Sequence, residues 1–88
     1  MKLTWAREAW TDYERWRDVD PKVHARINGL IEDIATSPIK GIGKPEPLKY
    51  DLSGWWSRRI TGEHRLVYRV TGKGKDRLLE ILSCRYHY

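Results

Sequence analysis

Hydrophobic positions change their period half-way along this chain of 88 residues. In residues 6–18, Ala9, Trp10, Tyr13 and Trp16 lie roughly on one helical face with charged residues between them, which predicts an amphipathic helix. The stretch Asp18-Val19-Asp20-Pro21 breaks that helix and starts another. Asp20 suits the N-cap, and Pro21 suits the first helical position, where its missing N–H is not needed. Val23, Ile27, Leu30, Ile31 and Ile34 continue the helical spacing, and the second helix is expected to end by Ser37-Pro38. Ahead of both, MKLTW (residues 1–5) reads as a short opening strand. Residues 38–47, PIKGIGKPEP, hold three prolines and two glycines and read as an irregular connector. Residues 55–60, 64–70 and 78–86 are rich in aromatic, β-branched and other apolar residues. The turn-like segments 61–63 and 72–76 separate them, so three antiparallel strands joined in hairpins are expected.

Helices gathered before strands predict an α+β fold in one domain, residues 1–88. Two N-terminal helices cover one face of a mainly antiparallel sheet, and the other face stays at least partly open to carry charged strand residues. Five Trp and five Tyr with no Phe give every large ring a polar atom that seeks a partner. These rings either fill the core or face nucleic-acid bases. The single Cys84 excludes an internal disulfide, fits a reducing compartment and reads as a core residue. The opening MKLTWAREAW carries charges where a secretory leader needs an apolar stretch, and no run matches a membrane span. A cytoplasmic protein with no membrane partner is expected.

The net charge of +5 is unevenly spread. Residues 1–44 hold eight Lys/Arg against seven Asp/Glu, whereas residues 45–88 hold nine against five. A basic surplus confined to one half suggests a surface for a polyanion. Walker, dinucleotide, HExxH and CxxC motifs are absent, and His24, His64 and His87 lack metal-ligand spacing, so no metal or cofactor is expected. What remains is Glu46 between two prolines, Lys49, the consecutive Arg58 and Arg59, Arg65, and the closing Arg85-Tyr86-His87-Tyr88. Consecutive strand residues leave opposite faces, and Arg59 is the one expected on the open face. Cleaving RNA without a metal requires a base for the ribose 2′-OH, a cation for the phosphoryl oxygens and an acid for the leaving oxygen. Glu46, Arg65 and His87 could supply them. Each also has a plainer reading: Glu46 as a solvated loop carboxylate beside Lys44 or Lys49, Arg65 as an ion-pair residue, and His87 as a surface side chain. Composition and pattern leave both readings open.

The stretch GKPEPLKYDLSGWWSRRITGEHRLVYRV (residues 43–70), with CRYHY (residues 84–88), resembles the YoeB/Txe branch of the RelE toxin superfamily. The opening strand, the two helices and the length fit as well, so the resemblance spans essentially the whole chain. It implies a compact RelE-like fold with a twisted, mainly antiparallel sheet. It also implies a toxin of a toxin–antitoxin pair that cleaves mRNA in the ribosomal A site by 2′-OH attack. By the same resemblance Glu46 is the general base, Arg65 stabilises the phosphate and His87 is the general acid. Lys49 and Arg59 lie near the phosphate, and Tyr88 helps orient substrate. The implied partners are a YefM/Axe-like antitoxin and the 70S ribosome with its mRNA and 16S ribosomal RNA, with a homodimer left open. A ParE-like gyrase poison lacks this residue set, and an inactive binding module would not need it. Two departures stand out: residues 72–77, GKGKDR, lengthen the last turn, and Ala6 stands where Ser would cap the first helix better.

Overall fold

The computed structural model describes residues 1–86. Strand β1 (Lys2–Trp5) leads into α1 (Arg7–Val19) and α2 (Pro21–Thr36). Both helices form where the apolar spacing predicts them. Ala6 makes no side-chain cap bond, as its identity implies. Asp20 serves both helices: its N–H donates to the Trp16 carbonyl that closes α1, and its carboxylate accepts the Lys22 N–H at 3.2 Å to open α2. Val23, Ile27, Leu30 and Ile34 of α2 are buried, and Ala9 is the buried residue of α1.

After the helices come β2 (Glu46–Pro47), β3 (Trp56–Arg59), β4 (Arg65–Thr71) and β5 (Leu78–Ser83). The five strands form one sheet in the order β1-β5-β4-β3-β2. β1 runs parallel to β5, and the other three pairings are antiparallel. The expected α+β class holds, with two corrections. Residues 38–47, read as irregular, contribute β2, which adds an edge strand through pairing to β3 that no local pattern encodes. The final strand, expected to reach residue 86, ends at Ser83 because the chain turns away at Tyr86, whose φ is 58°.

Register decides the two faces. Trp56 pairs with Tyr68 and Arg58 with Leu66, and these side chains meet the helices. Ser57 pairs with Val67 and Arg59 with Arg65, and these point the other way. Between Val67 and Tyr68 the register to β5 slips from Ser83 to Ile81, leaving Leu82 as the extra residue of a β-bulge. The core joins Ala9, Val23, Ile27, Leu30 and Ile34 of the helices to Leu66, Tyr68, Leu79 and Ile81 of the sheet. Part of the aromatic surplus fills this interior. The Tyr13 hydroxyl bonds Asn28, the Trp16 indole donates to the Cys84 carbonyl at 3.1 Å, and the Tyr68 hydroxyl donates to the Pro38 carbonyl at 2.7 Å.

Arg58 is fully buried in this interior. Its Nε donates to the Tyr68 hydroxyl at 3.1 Å, and its Nη1 to the Asp33 carboxylate and to the Ile42 carbonyl at 3.1 Å. Its Nη2 donates to the carbonyls of Ser37 and Lys40 at 2.6 and 2.8 Å. One guanidinium therefore ties the end of α2 and the proline-rich connector to the middle of the sheet. Gly43 then passes so close that a Cβ there would lie 2.9 Å from Leu30 Cδ2, and its φ of +81° suits glycine. Its carbonyl accepts the Arg59 N–H at 2.7 Å, which brings the connector alongside β3 just ahead of β2.

Replacing Arg58 by Met is expected to cost about 3 kcal/mol, because three carbonyls and the Tyr68 hydroxyl lose their donor together. Urea unfolding measures this, and a cost below about 1 kcal/mol would contradict the role given to Arg58. The Arg58 hydrogen bond, helped by the Ile42 N–H, holds the Asp33 carboxyl below its ordinary value of 3.8. A depressed carboxyl stabilises the fold above the unfolded-state value, and that contribution disappears as pH falls through the folded-state value. Asp33→Asn should therefore melt lower than the parent at neutral pH, with the gap in Tm narrowing as pH falls below about 4.

Candidate active site

The sheet face turned away from the helices is built by alternation along four strands, β2 to β5. Residues directly opposite in an antiparallel pair share a face, so Glu46, Ser57, Val67 and Ser83 form one row across β2, β3, β4 and β5. Arg59 and Arg65 form the adjoining row. Ser57 and Val67 are each 1% exposed and make a closed floor between longer side chains. The structure thus brings Glu46, Arg59 and Arg65 to one surface, although 19 positions separate the first from the last. Glu46 and Arg59 are exposed and Arg65 is half-buried. The Arg65 Nη1 is buried and has no hydrogen-bond partner among the described residues. Lys49 is exposed on the loop between β2 and β3, where the Leu48 N–H donates to the Trp55 carbonyl at 2.9 Å. His87 and Tyr88 lie outside the described residues.

The division of labour between the consecutive arginines follows the alternation expected along a strand. Arg59 is on the open face. Arg58 is no solvated partner to it, because its guanidinium lies at the centre of the fold. Sequence reasoning also passed over Arg69, which continues the alternation Arg65, Val67, Arg69 onto the same face. Its guanidinium lies 4.4 Å from the Trp55 ring centroid and donates to Glu80 on β5 at 2.8 Å. The period of two along β4 was the signal that could have found it. Three arginines thus face outward against Glu46 and the already paired Glu80, which gives the surface a positive balance suited to phosphates.

The remaining chemistry-bearing residues are occupied in the fold. Cys84 is buried, its thiol lies 3.4 Å from the Ala9 carbonyl, and burial pushes its pKa up to about 12. It is a core residue, as its apolar setting implied. His24 stacks on Tyr13 with ring centroids 4.5 Å apart, and His64 packs edge-on against Trp16 at 4.8 Å. Among the described residues no group of three His, Cys, Asp or Glu side chains is placed to hold a metal ion. No helix among them is long and apolar enough to cross a membrane.

Two helices on one face of a mixed five-stranded sheet, with a basic face opposite, define a RelE-like α+β protein. YafQ from Escherichia coli has this fold, with a TM-score of 0.73 over 98% of this chain and 92% of its own. At 17% identity that likeness speaks for the fold alone. Closer relatives are more informative. Residues 5–88 match the model of the YoeB-like toxin of bacterial type II toxin–antitoxin systems. Toxin YoeB of Escherichia coli K12 is 56% identical over the full length of both chains. The solved YoeB/ParE toxin from Agrobacterium tumefaciens is 52% identical, covers both chains completely and superposes with a TM-score of 0.97. A solved YoeB–YefM complex from Staphylococcus aureus matches at 42% identity and a TM-score of 0.89, over 100% of this chain and 98% of that one. The chain belongs to the YoeB-like toxin family and is a toxin of a type II toxin–antitoxin system.

Proposed function

We propose that this toxin is a ribosome-dependent endoribonuclease that cleaves mRNA in the ribosomal A site and so halts translation. The observation that carries the reading is the shared sheet face on which Glu46, Arg59 and Arg65 converge from three strands. In this mechanism Glu46 takes the proton of a ribose 2′-OH, and the freed oxygen attacks the adjacent phosphorus. The bond to the 5′-oxygen breaks and His87 protonates that oxygen, leaving a 2′,3′-cyclic phosphate and a 5′-hydroxyl. Arg65 stabilises the charge that grows on the phosphoryl oxygens, and its buried Nη1 is a donor without a partner among the described residues. Arg59 and Lys49 hold neighbouring phosphates, and Tyr88 stacks on a base or donates a hydrogen bond to the substrate. The need for a 2′-OH restricts the reaction to RNA.

The same basic face suits an acidic antitoxin segment that folds over it, which would block substrate while neutralising the arginines. The Staphylococcus aureus relative has been solved with YefM and also as a dimer. We assign this chain an antitoxin of that class and include self-association among its states. Its site of action, the translating ribosome, lies in the cytoplasm.

Glu46 is exposed on an open sheet face, where the free protein does not by itself hold a ribose 2′-OH in line with its phosphate. The ribosome must therefore align the substrate. Free RNA is expected to be cut at least about a hundredfold more slowly than mRNA on translating ribosomes. Equal rates on the two substrates would refute the dependence on the ribosome. On translating ribosomes, Glu46→Ala and His87→Ala should each reduce cleavage by about 100-fold to 10,000-fold. If both variants cut like the parent, the assigned mechanism is wrong.

A further inference from the structure

Beyond the row that holds Glu46, the open face carries a second built row. Trp56 stands opposite Tyr68, so Trp55 stands opposite Arg69, and Arg69 in turn stands opposite Glu80. The Arg69 guanidinium lies over the half-buried Trp55 ring, with Cζ 4.4 Å from the ring centroid. Its Nη2 donates to Glu80 Oε2 at 2.8 Å. Its Nε is buried without a hydrogen-bond partner among the described residues. Folded proteins keep few such donors, because burying one unpaired is costly. Hydrogen bonding alone therefore does not account for where this side chain lies. The indole beneath it and the tether to Glu80 set it there.

The arrangement limits what Arg69 can still do. The indole covers one side of the guanidinium and Glu80 holds one edge, yet 39% of the side chain remains exposed. Glu80 already balances the charge, so a phosphate gains less here than at Arg59 or Arg65. A flat, fixed and polarisable surface suits a nucleobase instead. Unpaired RNA bases stack on aromatic rings and on guanidinium planes alike. A side chain already held in place also loses little freedom when a base settles on it.

This row is continuous with the cleavage surface. Along the face of β4, only Val67 stands between Arg65 and Arg69. Four residues of strand put the two arginines about 13 Å apart. A single strand rises about 3.4 Å per nucleotide when stacked and more when its bases splay, so that distance spans roughly two to four nucleotides.

We propose that Arg69, mounted on Trp55 and tethered by Glu80, is a stacking platform for an unpaired base of the strand being cut, roughly two to four nucleotides from the scissile phosphate. The proposal rests on the reading that this face cleaves ribosome-bound mRNA. On the ribosome, bases ahead of the A site pair with the P-site tRNA, so the base on Arg69 lies on the 3′ side of the cut. Arg69 holds substrate and takes no part in breaking the bond.

Two variants and a set of abasic mRNAs test this on programmed ribosomes. Arg69→Ala should raise KM about tenfold with kcat little changed, the loss expected for one base stack. Arg69→Lys keeps the charge without the plane and should be as impaired as Arg69→Ala. One abasic site on the 3′ side should raise the parent's KM about tenfold and leave that of Arg69→Ala unchanged, a coupling that a purely structural role would not produce. Parent-like cleavage by Arg69→Lys makes Arg69 a point charge and overturns the proposal. So does an abasic series in which every position affects parent and Arg69→Ala alike, the result expected if Arg69 touches ribosomal RNA. Glu46→Ala, assayed alongside, separates the two readings. If it cuts like the parent, the cleavage mechanism falls while the KM coupling still reports on Arg69. If the parent cuts no ribosome-bound mRNA, fluorescence anisotropy with intact and abasic single-stranded RNA decides, and equal affinity of the parent for both overturns the platform.

Discussion

The buried Arg58 guanidinium is the interaction on which the remainder of the architecture depends. It reaches the end of α2 through Asp33 and Ser37, the connector through Lys40 and Ile42, and β4 through the Tyr68 hydroxyl. A charge this deep is tolerable only because each of its nitrogens has a partner and a carboxylate balances it. Tyr68 adds a brace of its own by donating to the Pro38 carbonyl. The consequence is geometric. A connector of prolines and glycines has no helix or ladder of its own to hold it, and these bonds pin it to the sheet. The pinned connector delivers Gly43 beside Arg59 and then Glu46 beside Ser57, so a core cation governs where an exposed carboxylate stands.

Alternation along β3 makes this economical in chain length. One residue separates the structural role from the functional face: Arg58 points into the core and Arg59 points out beside Arg65. The same alternation along β4 sends Leu66, Tyr68 and Val70 toward the helices while Arg65 and Arg69 face outward. Because Arg69 is already held by Glu80 and the Trp55 ring, the cations of this face are not equivalent. Arg69 is held at the surface by these partners and Arg59 is exposed, while Arg65 Nη1 and Arg69 Nε are both buried donors without a partner among the described residues. The bulge at Leu82 lies in β5, beside the strand that carries Arg65 and Arg69. After it the chain leaves the ladder for the Tyr86 turn held by His64 and Arg65.

Much of this was legible in the sequence because the governing forces are local. Apolar spacing located α1 and α2, Asp20-Pro21 marked their junction, and the glycine-bearing segments marked both hairpin turns. Strand alternation sufficed to separate Arg58 from Arg59, and the apolar run around Cys84 sufficed to place its thiol in the core. The motifs of residues 43–70 and 84–88 carried the family, because they record many positions at once. What they could not carry was the reason each residue stands where it does.

The sequence by itself thus determined the helices, the main strands, the family and which residue types could serve chemistry. Only the tertiary structure decided that β1 lies parallel to β5, that Glu46-Pro47 becomes an edge strand, and that Arg58 is the central tie. It alone brought Glu46, Arg59 and Arg65 to one face, and set His64 against Tyr86 across 22 positions of chain. The physical reason is range. Periodicity and capping act over a few residues and can be read along the chain. Pairing register and buried polar partners depend on segments far apart in sequence, which acquire a shared geometry only when the core closes around them.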